Sequence, residues 1–176
     1  MHKPLRLLFI FYPYTKSMIL KNLILNFDER FIKLTRRYSE PFARFAIFLV
    51  FFWFGYLKIV GLSPAGPLVQ SLLEVTFLSF VDAQFFVVAF GVFEVVLGIL
   101  FLIPRLERLI FALLIFHLAT TVMPLLLLPE ITWDGFLVPT LVGQYIIKNI
   151  LLLAIELVIV AHLRPMRESH SFFSKS

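Results

Sequence analysis

Four long apolar stretches, separated by short links, dominate the pattern of this 176-residue chain. They occupy residues 42–62, 85–103, 109–128 and 139–163. A helix needs about 20 residues to cross the hydrocarbon core of a bilayer, and the stretches have that length. The runs do not alternate polar with apolar positions, and a helix satisfies its own backbone groups in lipid. The pattern therefore predicts an all-α, polytopic membrane protein, a four-transmembrane-helix bundle.

The composition agrees with a membrane protein and excludes several kinds of site. The chain is 60% hydrophobic and 15% charged, whereas soluble domains are about 45–50% apolar and about 25% charged. It has no cysteine, which excludes disulfides, thiolate metal sites and cysteine nucleophiles on this chain. We expect no metal site. No basic patch is interleaved with stacking aromatics, so we expect no nucleic acid partner.

Lysine and arginine are concentrated in three of the five segments outside the spans. The first segment and the mouth of the first span hold Lys3, Arg6, Lys16, Lys21, Arg30, Lys33, Arg36, Arg37 and Arg44. The link between spans two and three and the tail hold Arg105, Arg108, Arg164, Arg167 and Lys175. The links at 63–84 and 129–138 contain neither residue type. This positive-inside pattern predicts cytoplasmic N- and C-termini.

Residues 1–41 are predicted to form a basic amphipathic segment in the cytoplasm. Apolar residues recur there at helical spacing at Ile19, Leu23, Phe27, Phe31 and Leu34. We expect this helix to lie on the inner leaflet, the alternative being a cytoplasmic helix packed against the bundle ends. The patch "LLFIFY" is too short for a signal peptide, and a chain that began at Met18 would keep all four spans. Residues 164–176 are predicted to be a cytoplasmic tail.

The link after the first span is too apolar for an ordinary loop. A short amphipathic helix is predicted from Pro67, because proline is tolerated in the first turn of a helix. This outer-face segment either lies at the interface or dips between the helices as a re-entrant element. In the last outer link, Trp133 occupies a position typical of an aromatic belt.

Each predicted span carries polar residues that are costly in hydrocarbon. A charge at mid-bilayer costs about 2.5–3.5 kcal/mol on insertion scales, so such residues usually face the bundle interior and find partners. The predicted intramembrane polar site consists of Lys58, Glu94, His117, Thr120, Thr121, Lys148, Asn149 and Glu156. Three glycines are expected to let neighbouring helices approach closely, and these are Gly55, Gly91 and Gly98.

Glu94 lies deep in its span, on the same helix face as Gly91 and Gly98. Its predicted partner is Lys58 from the first span. The alternatives are a pair with Lys148, or a carboxyl kept protonated by its apolar surroundings. Lys58 has an alternative of its own, which is to extend to the outer headgroups.

Other candidates also have purely structural interpretations. His117 is either a hydrogen-bonded packing residue or a ligand. Thr120 and Thr121 either line the site with it or bond back to the preceding turn. Lys148 with Glu156 is an alternative polar seam that fixes helix register.

The fourth span carries its polar residues on two adjacent faces. Tyr145, Asn149 and Glu156 are predicted to share one face, and Gln144 and Lys148 the next.

Three stretches of the sequence resemble a known family. They are "FGYLKIVGL", "GVFEVVLGILFLIPRLERL" and "FHLATTVMPLLLLPE", and they resemble the DoxX-like membrane proteins. The segment "SPAGPLV" is similar to the YkgB-like branch, and the resemblance covers roughly residues 38–165. It implies a four-helix bundle in a bacterial inner membrane, in a redox or oxidant-stress setting. DoxX itself is similar to a small subunit of a thiosulfate:quinone oxidoreductase, but the resemblance carries over no catalytic motif.

The resulting functional hypothesis is an accessory or quinone-associated membrane subunit that is not an enzyme on its own. A quinone needs an apolar slot and a few hydrogen-bonding groups, for which His117, Thr121 and Lys148 are suitable types. The chain supplies no redox cofactor, so the expected partners are the lipid bilayer and a membrane redox protein or a second copy. The alternatives are a small proton-coupled transporter or channel using Glu94 and Glu156, and a purely structural assembly protein.

Overall fold

The computed structural model describes residues 6–161 and residue 163, with side chains from Met18 onward. Residues 1–5 and the predicted tail, 164–176, lie outside this described part. The order of elements is α1 (Arg6–Ile59), α2 (Gly66–Glu74), α3 (Ala83–Phe101), α4 (Glu107–Leu127), α5 (Pro129–Thr132), β1 (Trp133–Gly135), β2 (Val138–Pro139), α6 (Leu141–Lys148) and α7 (Ile150–Val160).

Four helical segments are long and apolar enough to cross a membrane. They are Met18–Ile59 within α1, Ala83–Phe101, Glu107–Leu127, and Leu141–Val160, which comprises α6 and α7. The prediction of a helical protein with four helices long and apolar enough to span is thereby confirmed; the last three differ from the predicted bounds by at most three residues, whereas the first begins at Met18 and not at residue 42.

The first helix differs from the predicted division of the chain. A separate amphipathic helix was expected before a span at 42–62, but α1 runs unbroken from Arg6 to Ile59. Pro41 lies within it, although an interior proline removes one backbone donor and crowds the carbonyl four residues before it. The chain nevertheless divides into two compact units, one ending at Phe42 and the next beginning at Ala43. A location of the first unit on the inner leaflet stays a prediction.

The fourth span contains an interruption that the periodicity did not predict. The Asn149 N–H donates to the carbonyl of Ile146, three residues back, at 3.1 Å. The Asn149 carbonyl accepts from the Leu152 N–H at 3.0 Å. These three-residue hydrogen bonds tighten the helix locally, as in a 3₁₀ turn. The turn separates α6 from α7.

The links after the first and third spans contain short elements with clear local causes. The predicted short helix is α2, with Pro67 in its first turn. Asp82 caps α3 by accepting the Phe85 N–H at 2.7 Å. The link after the third span forms an antiparallel pair of strands, β1 and β2, which the all-helical prediction did not include. Its two-residue connection is turned by Leu137, whose φ is 58°.

The interior of the second unit is apolar and closely packed. Helices α1, α3 and α4 contribute the central buried cluster, which consists of Ile47, Phe51, Leu97, Phe101, Ile110, Leu114 and Leu118. A Cβ built on Gly55 would lie 2.7 Å from the Gly91 carbonyl oxygen, and one on Gly91 would lie 2.7 Å from the Gly55 carbonyl oxygen. These reciprocal distances show that α1 and α3 approach backbone to backbone, as small residues allow.

Candidate functional site

Three polar side chains from three helices meet inside the bundle. Lys58 Nζ of α1 donates to Glu94 Oε2 of α3 at 2.6 Å. His117 Nε2 of α4 lies 3.0 Å from the other carboxylate oxygen, Oε1. Relative exposures of the three side chains are 12%, 7% and 5%. Lys58, Glu94 and His117 are called the Glu94 cluster below, and within it both oxygens of one carboxylate have a nitrogen partner.

The local sequence explains how this cluster forms. Lys58 lies in the last turn of α1, and Cα–Cβ bonds tilt toward the N-terminus of a helix, so its side chain starts back toward the bundle centre. Gly91, one turn before Glu94, leaves room for it, since a Cβ on Gly91 would lie 2.7 Å from the Lys58 Cβ. The close approach of α1 and α3 therefore places the ammonium beside the carboxylate, and Lys58 does not extend to the outer headgroups.

Aromatic rings enclose the imidazole of His117. The Phe90 ring is stacked at 5.1 Å between centroids, and the Phe51 ring meets it edge-on at 4.9 Å. Phe93 lies at 6.2 Å and in turn meets Phe116 edge-on at 5.7 Å. Phe116 is 57% exposed on the outside of the bundle. A chain of rings thus runs from the outer surface of α4 to the imidazole.

The hydroxyl groups of the two threonines on α4 hydrogen-bond to the backbone of their own helix. Thr120 Oγ1 donates to the His117 carbonyl at 2.8 Å, and Thr121 Oγ1 donates to the same carbonyl at 2.7 Å. Thr121 Oγ1 is 3.5 Å from His117 Nδ1, which is long for a hydrogen bond. These contacts match the interpretation that the threonines bond back to the preceding turn.

Two further candidates lie apart from the Glu94 cluster. Lys148 is exposed, with Nζ 5.3 Å from the ring centroid of Tyr145. Asn149 is half-buried at the turn between α6 and α7. Neither residue contacts Glu94 among the hydrogen bonds and ion pairs found in the described residues. Among the described residues, Glu94 therefore does not pair with Lys148, the alternative partner considered above.

Glu156 belongs to a second group of charged residues. Arg44 Nη2 of α1 donates to Glu107 Oε1 of α4 at 2.7 Å, and Arg44 Nη1 is 3.5 Å from the Phe101 carbonyl oxygen. The Arg105 backbone N–H also donates to Glu107 Oε1, at 3.0 Å. Glu156 of α7 is 1% exposed and lies within electrostatic range of Arg44 and Glu107. Arg44, Glu107 and Glu156 are called the Glu156 cluster below.

Sequence reasoning did not include Arg44 and Glu107 in the polar site. It used Arg44 only to orient the chain, because a basic residue at the mouth of a span is ordinary. The available signal was their position along the spans: Arg44 lies at the start of the first apolar run, and Glu107 lies just before the third. In a bundle of alternating direction, both positions lie at the same end.

Comparison with known proteins does not name a family. No family model, curated protein or solved structure matches the chain. The class of protein follows from the helices themselves, since four of them are long and apolar enough to span a bilayer. Large apolar side chains such as Trp53, Phe54 and Leu151 are 62%, 54% and 62% exposed on these helices, as lipid-facing residues are. The chain is a helical, multi-pass membrane protein.

Proposed function

We propose that the chain is a DoxX-like protein of a bacterial inner membrane and serves as a quinone-associated accessory subunit in redox or oxidant-stress physiology. The observation that carries the proposal is the Glu94 cluster, a lysine, a carboxylate and an imidazole joined by hydrogen bonds inside an apolar bundle. Such groups are expensive in a membrane, and they usually mark proton relays or ligand sites.

The chemistry of the cluster suits a group that gains protons when it gains electrons. Because the carboxylate accepts, His117 Nε2 carries the hydrogen directed at Glu94, which leaves Nδ1 to face away from it. Histidine is the side chain best able to take and release a proton near neutral pH. His117 would hold or deliver a proton, Glu94 would orient the imidazole, and Lys58 would balance the carboxylate charge.

The aromatic surroundings favour a flat ligand that arrives from the lipid. Phe90 and Phe93 are half-buried and pack against His117, and Phe93 also contacts the exposed Phe116. A quinone headgroup is a flat ring with two carbonyl acceptors, and flat rings stack on phenylalanine in offset or edge-on geometry. Displacement of a half-buried ring would bring the headgroup beside the imidazole. Electrons would come from a separate membrane redox protein.

A quinone-loading experiment tests this proposal. The protein is purified in lipid nanodiscs prepared with a membrane quinone, and bound quinone per protein is measured by mass spectrometry. We expect wild type and the exposed control Lys148→Met to retain quinone, and His117→Leu to lose most of it. Circular dichroism establishes that each variant is folded. Equal background amounts in all three folded proteins would reject the quinone role.

The inner-membrane orientation needs its own experiment. Reporter fusions at Thr35, at Leu106 and after Ser176 should report cytoplasm, and fusions at Val75 and Trp133 should report periplasm. A periplasmic signal from the C-terminal fusion would overturn the proposed orientation.

A structural role is the second candidate, and the pairing inside the Glu94 cluster favours it. Both carboxylate oxygens have partners, and the adjacent glycines bring two backbones into contact. A cluster that only fixes helix packing could be replaced by apolar residues of similar shape without loss of function. If Lys58→Met with Glu94→Gln restores stability and a redox phenotype together, the structural role is correct.

A further inference from the structure

One buried carboxyl in the bundle lacks the partners that Glu94 has. Glu156 of α7 is 1% exposed, and its Oε1 atom has no hydrogen-bond partner among the described residues. An ionised carboxylate oxygen that has neither water nor a donor is strongly disfavoured in apolar surroundings. Buried carboxyls in native proteins are therefore paired or neutral, and the charges around Glu156 decide between these two states.

The neighbouring charges do not balance an ionised Glu156. The charged groups that act on it are Arg44 from α1 and Glu107 from α4. Arg44 is bound to Glu107 at 2.7 Å, and Glu107 is further fixed by the Arg105 N–H at 3.0 Å. Among the described residues, one guanidinium therefore faces two carboxyl groups, and its 2.7 Å contact is with Glu107. A charge on Glu156 would leave the cluster with an excess negative charge.

We propose that Glu156 is a proton-binding site, in which a neutral carboxylic acid holds an exchangeable proton at this end of the bundle. The proton removes the excess charge, and it converts one oxygen from an acceptor into a donor. A metal ion is a poorer occupant than a proton, because the positive charge of Arg44 already acts on the carboxyl. This site lies on different residues from the Glu94 cluster and does not depend on a quinone.

Binding and release of this proton would be coupled to the contact between α1 and α4. While Glu156 is neutral, Arg44 pairs with Glu107 and joins the two helices. Loss of the proton would place a second anion near Arg44, and the guanidinium would then be shared between two carboxylates. Protonation of Glu156 on α7 would thus alter the ion pair between Arg44 of α1 and Glu107 of α4.

Infrared spectroscopy of protein labelled with ¹³C in the glutamate side chains tests this proposal. The protein is kept in lipid nanodiscs at neutral pH, where a protonated carboxylic acid gives a C=O stretch separate from that of carboxylates. We expect this band in wild type and in the exposed control Glu130→Gln, a shift of the band in D₂O, and loss of the band in Glu156→Gln. A wild-type spectrum without the band, or a band that survives in Glu156→Gln, would overturn the proposal.

The stability of two variants provides a second test. Glutamine has the shape of a neutral glutamic acid and carries no charge, so Glu156→Gln should fold with a thermal midpoint close to that of wild type. Glu156→Asp keeps the ability to ionise but withdraws the carboxyl by one methylene. If Glu156→Gln fails to fold while Glu156→Asp folds normally, the charge itself is required and Glu156 is not a neutral proton-binding site.

Discussion

The two charged clusters of the bundle solve the problem of a buried carboxylate in different ways. In the Glu94 cluster, one acid lies between two nitrogen groups, and each of its oxygens has a partner. In the Glu156 cluster, the guanidinium of Arg44 pairs with Glu107, and one oxygen of Glu156 has no hydrogen-bond partner within the described residues. Glu94 is paired through both oxygens, whereas Glu156 is the acid for which we propose a bound proton. Sequence alone shows two glutamates in apolar runs and does not distinguish them.

The largest expected effect comes from removing the shared acid of the Glu94 cluster. Glu94→Gln leaves the Lys58 ammonium buried without a carboxylate, and breaking a buried pair typically costs about 3–5 kcal/mol. Lys58→Met should cost less, because His117 can still bond to Glu94. The free energy of unfolding, measured by SDS titration in mixed micelles, checks both variants.

The double variant shows whether the two residues interact. Lys58→Met combined with Glu94→Gln should recover part of the loss, because no charge is left stranded. Strictly additive losses would mean that the lysine and the glutamate contribute independently, contrary to the 2.6 Å contact.

The next largest effect tests the packing that brings Lys58 to Glu94. Gly91→Ala introduces a Cβ 2.7 Å from the Gly55 carbonyl oxygen and the Lys58 Cβ. Overpacking of this kind typically costs about 1–3 kcal/mol. The matched control is Gly135→Ala, where a Cβ would meet nothing within 4 Å. Equal unfolding free energies for the two alanine variants would contradict a close α1–α3 contact.

The variant Arg44→Met tests how much the Glu156 cluster contributes to the free energy of unfolding. It removes the charged donor to Glu107 but leaves the Arg105 N–H in place. The loss of one partner of a buried acceptor costs about 1–3 kcal/mol, so we expect a smaller loss than for Glu94→Gln. Adding Glu107→Gln should restore part of it in the same SDS titration. A loss as large as that of Glu94→Gln would show that the clusters are energetically alike.

The smallest effect is expected at Lys148, which belongs to neither cluster. Its contact with the Tyr145 ring is exposed, and exposed cation–π contacts contribute about 0.5–1 kcal/mol. Lys148→Met should therefore lower the unfolding free energy by no more than about that amount. A loss comparable to that of Lys58→Met would assign this lysine a role in the interior.

Long-range features of the spans could be predicted because they follow from simple physical rules. The length and apolarity of four runs predicted the spanning helices. The depth of Glu94 and the glycines on its face predicted an inward carboxyl beside Lys58. His117 was a candidate for the polar interior, but its contact with the same carboxylate depends on the rotation of α4, which a nearly uniform apolar helix does not reveal.

Features that depend on local irregularity could not be predicted in the same way. Tyr145, Asn149 and Glu156 were expected on one face, yet Tyr145 is exposed and Glu156 is buried. The turn at Asn149 interrupts the helix between them, and the periodicity of the span does not predict that interruption. Arg44 with Glu107 was missed because charges at helix ends are common, and their pairing across 63 residues of sequence requires the packed bundle.

The reciprocal contact of Gly55 and Gly91 also limits how this protein can accumulate mutations. A side chain at either position meets the main-chain oxygen of the other, and every amino acid carries that oxygen. No replacement of the opposing glycine can therefore act as a suppressor. In the core, a larger side chain can be compensated by a smaller one at the facing position, but these two positions have no smaller residue to use. Genetic suppressors of Gly91→Ala should arise elsewhere, at residues that let α1 and α3 move apart. Such variants would keep the fold while separating Lys58 from Glu94.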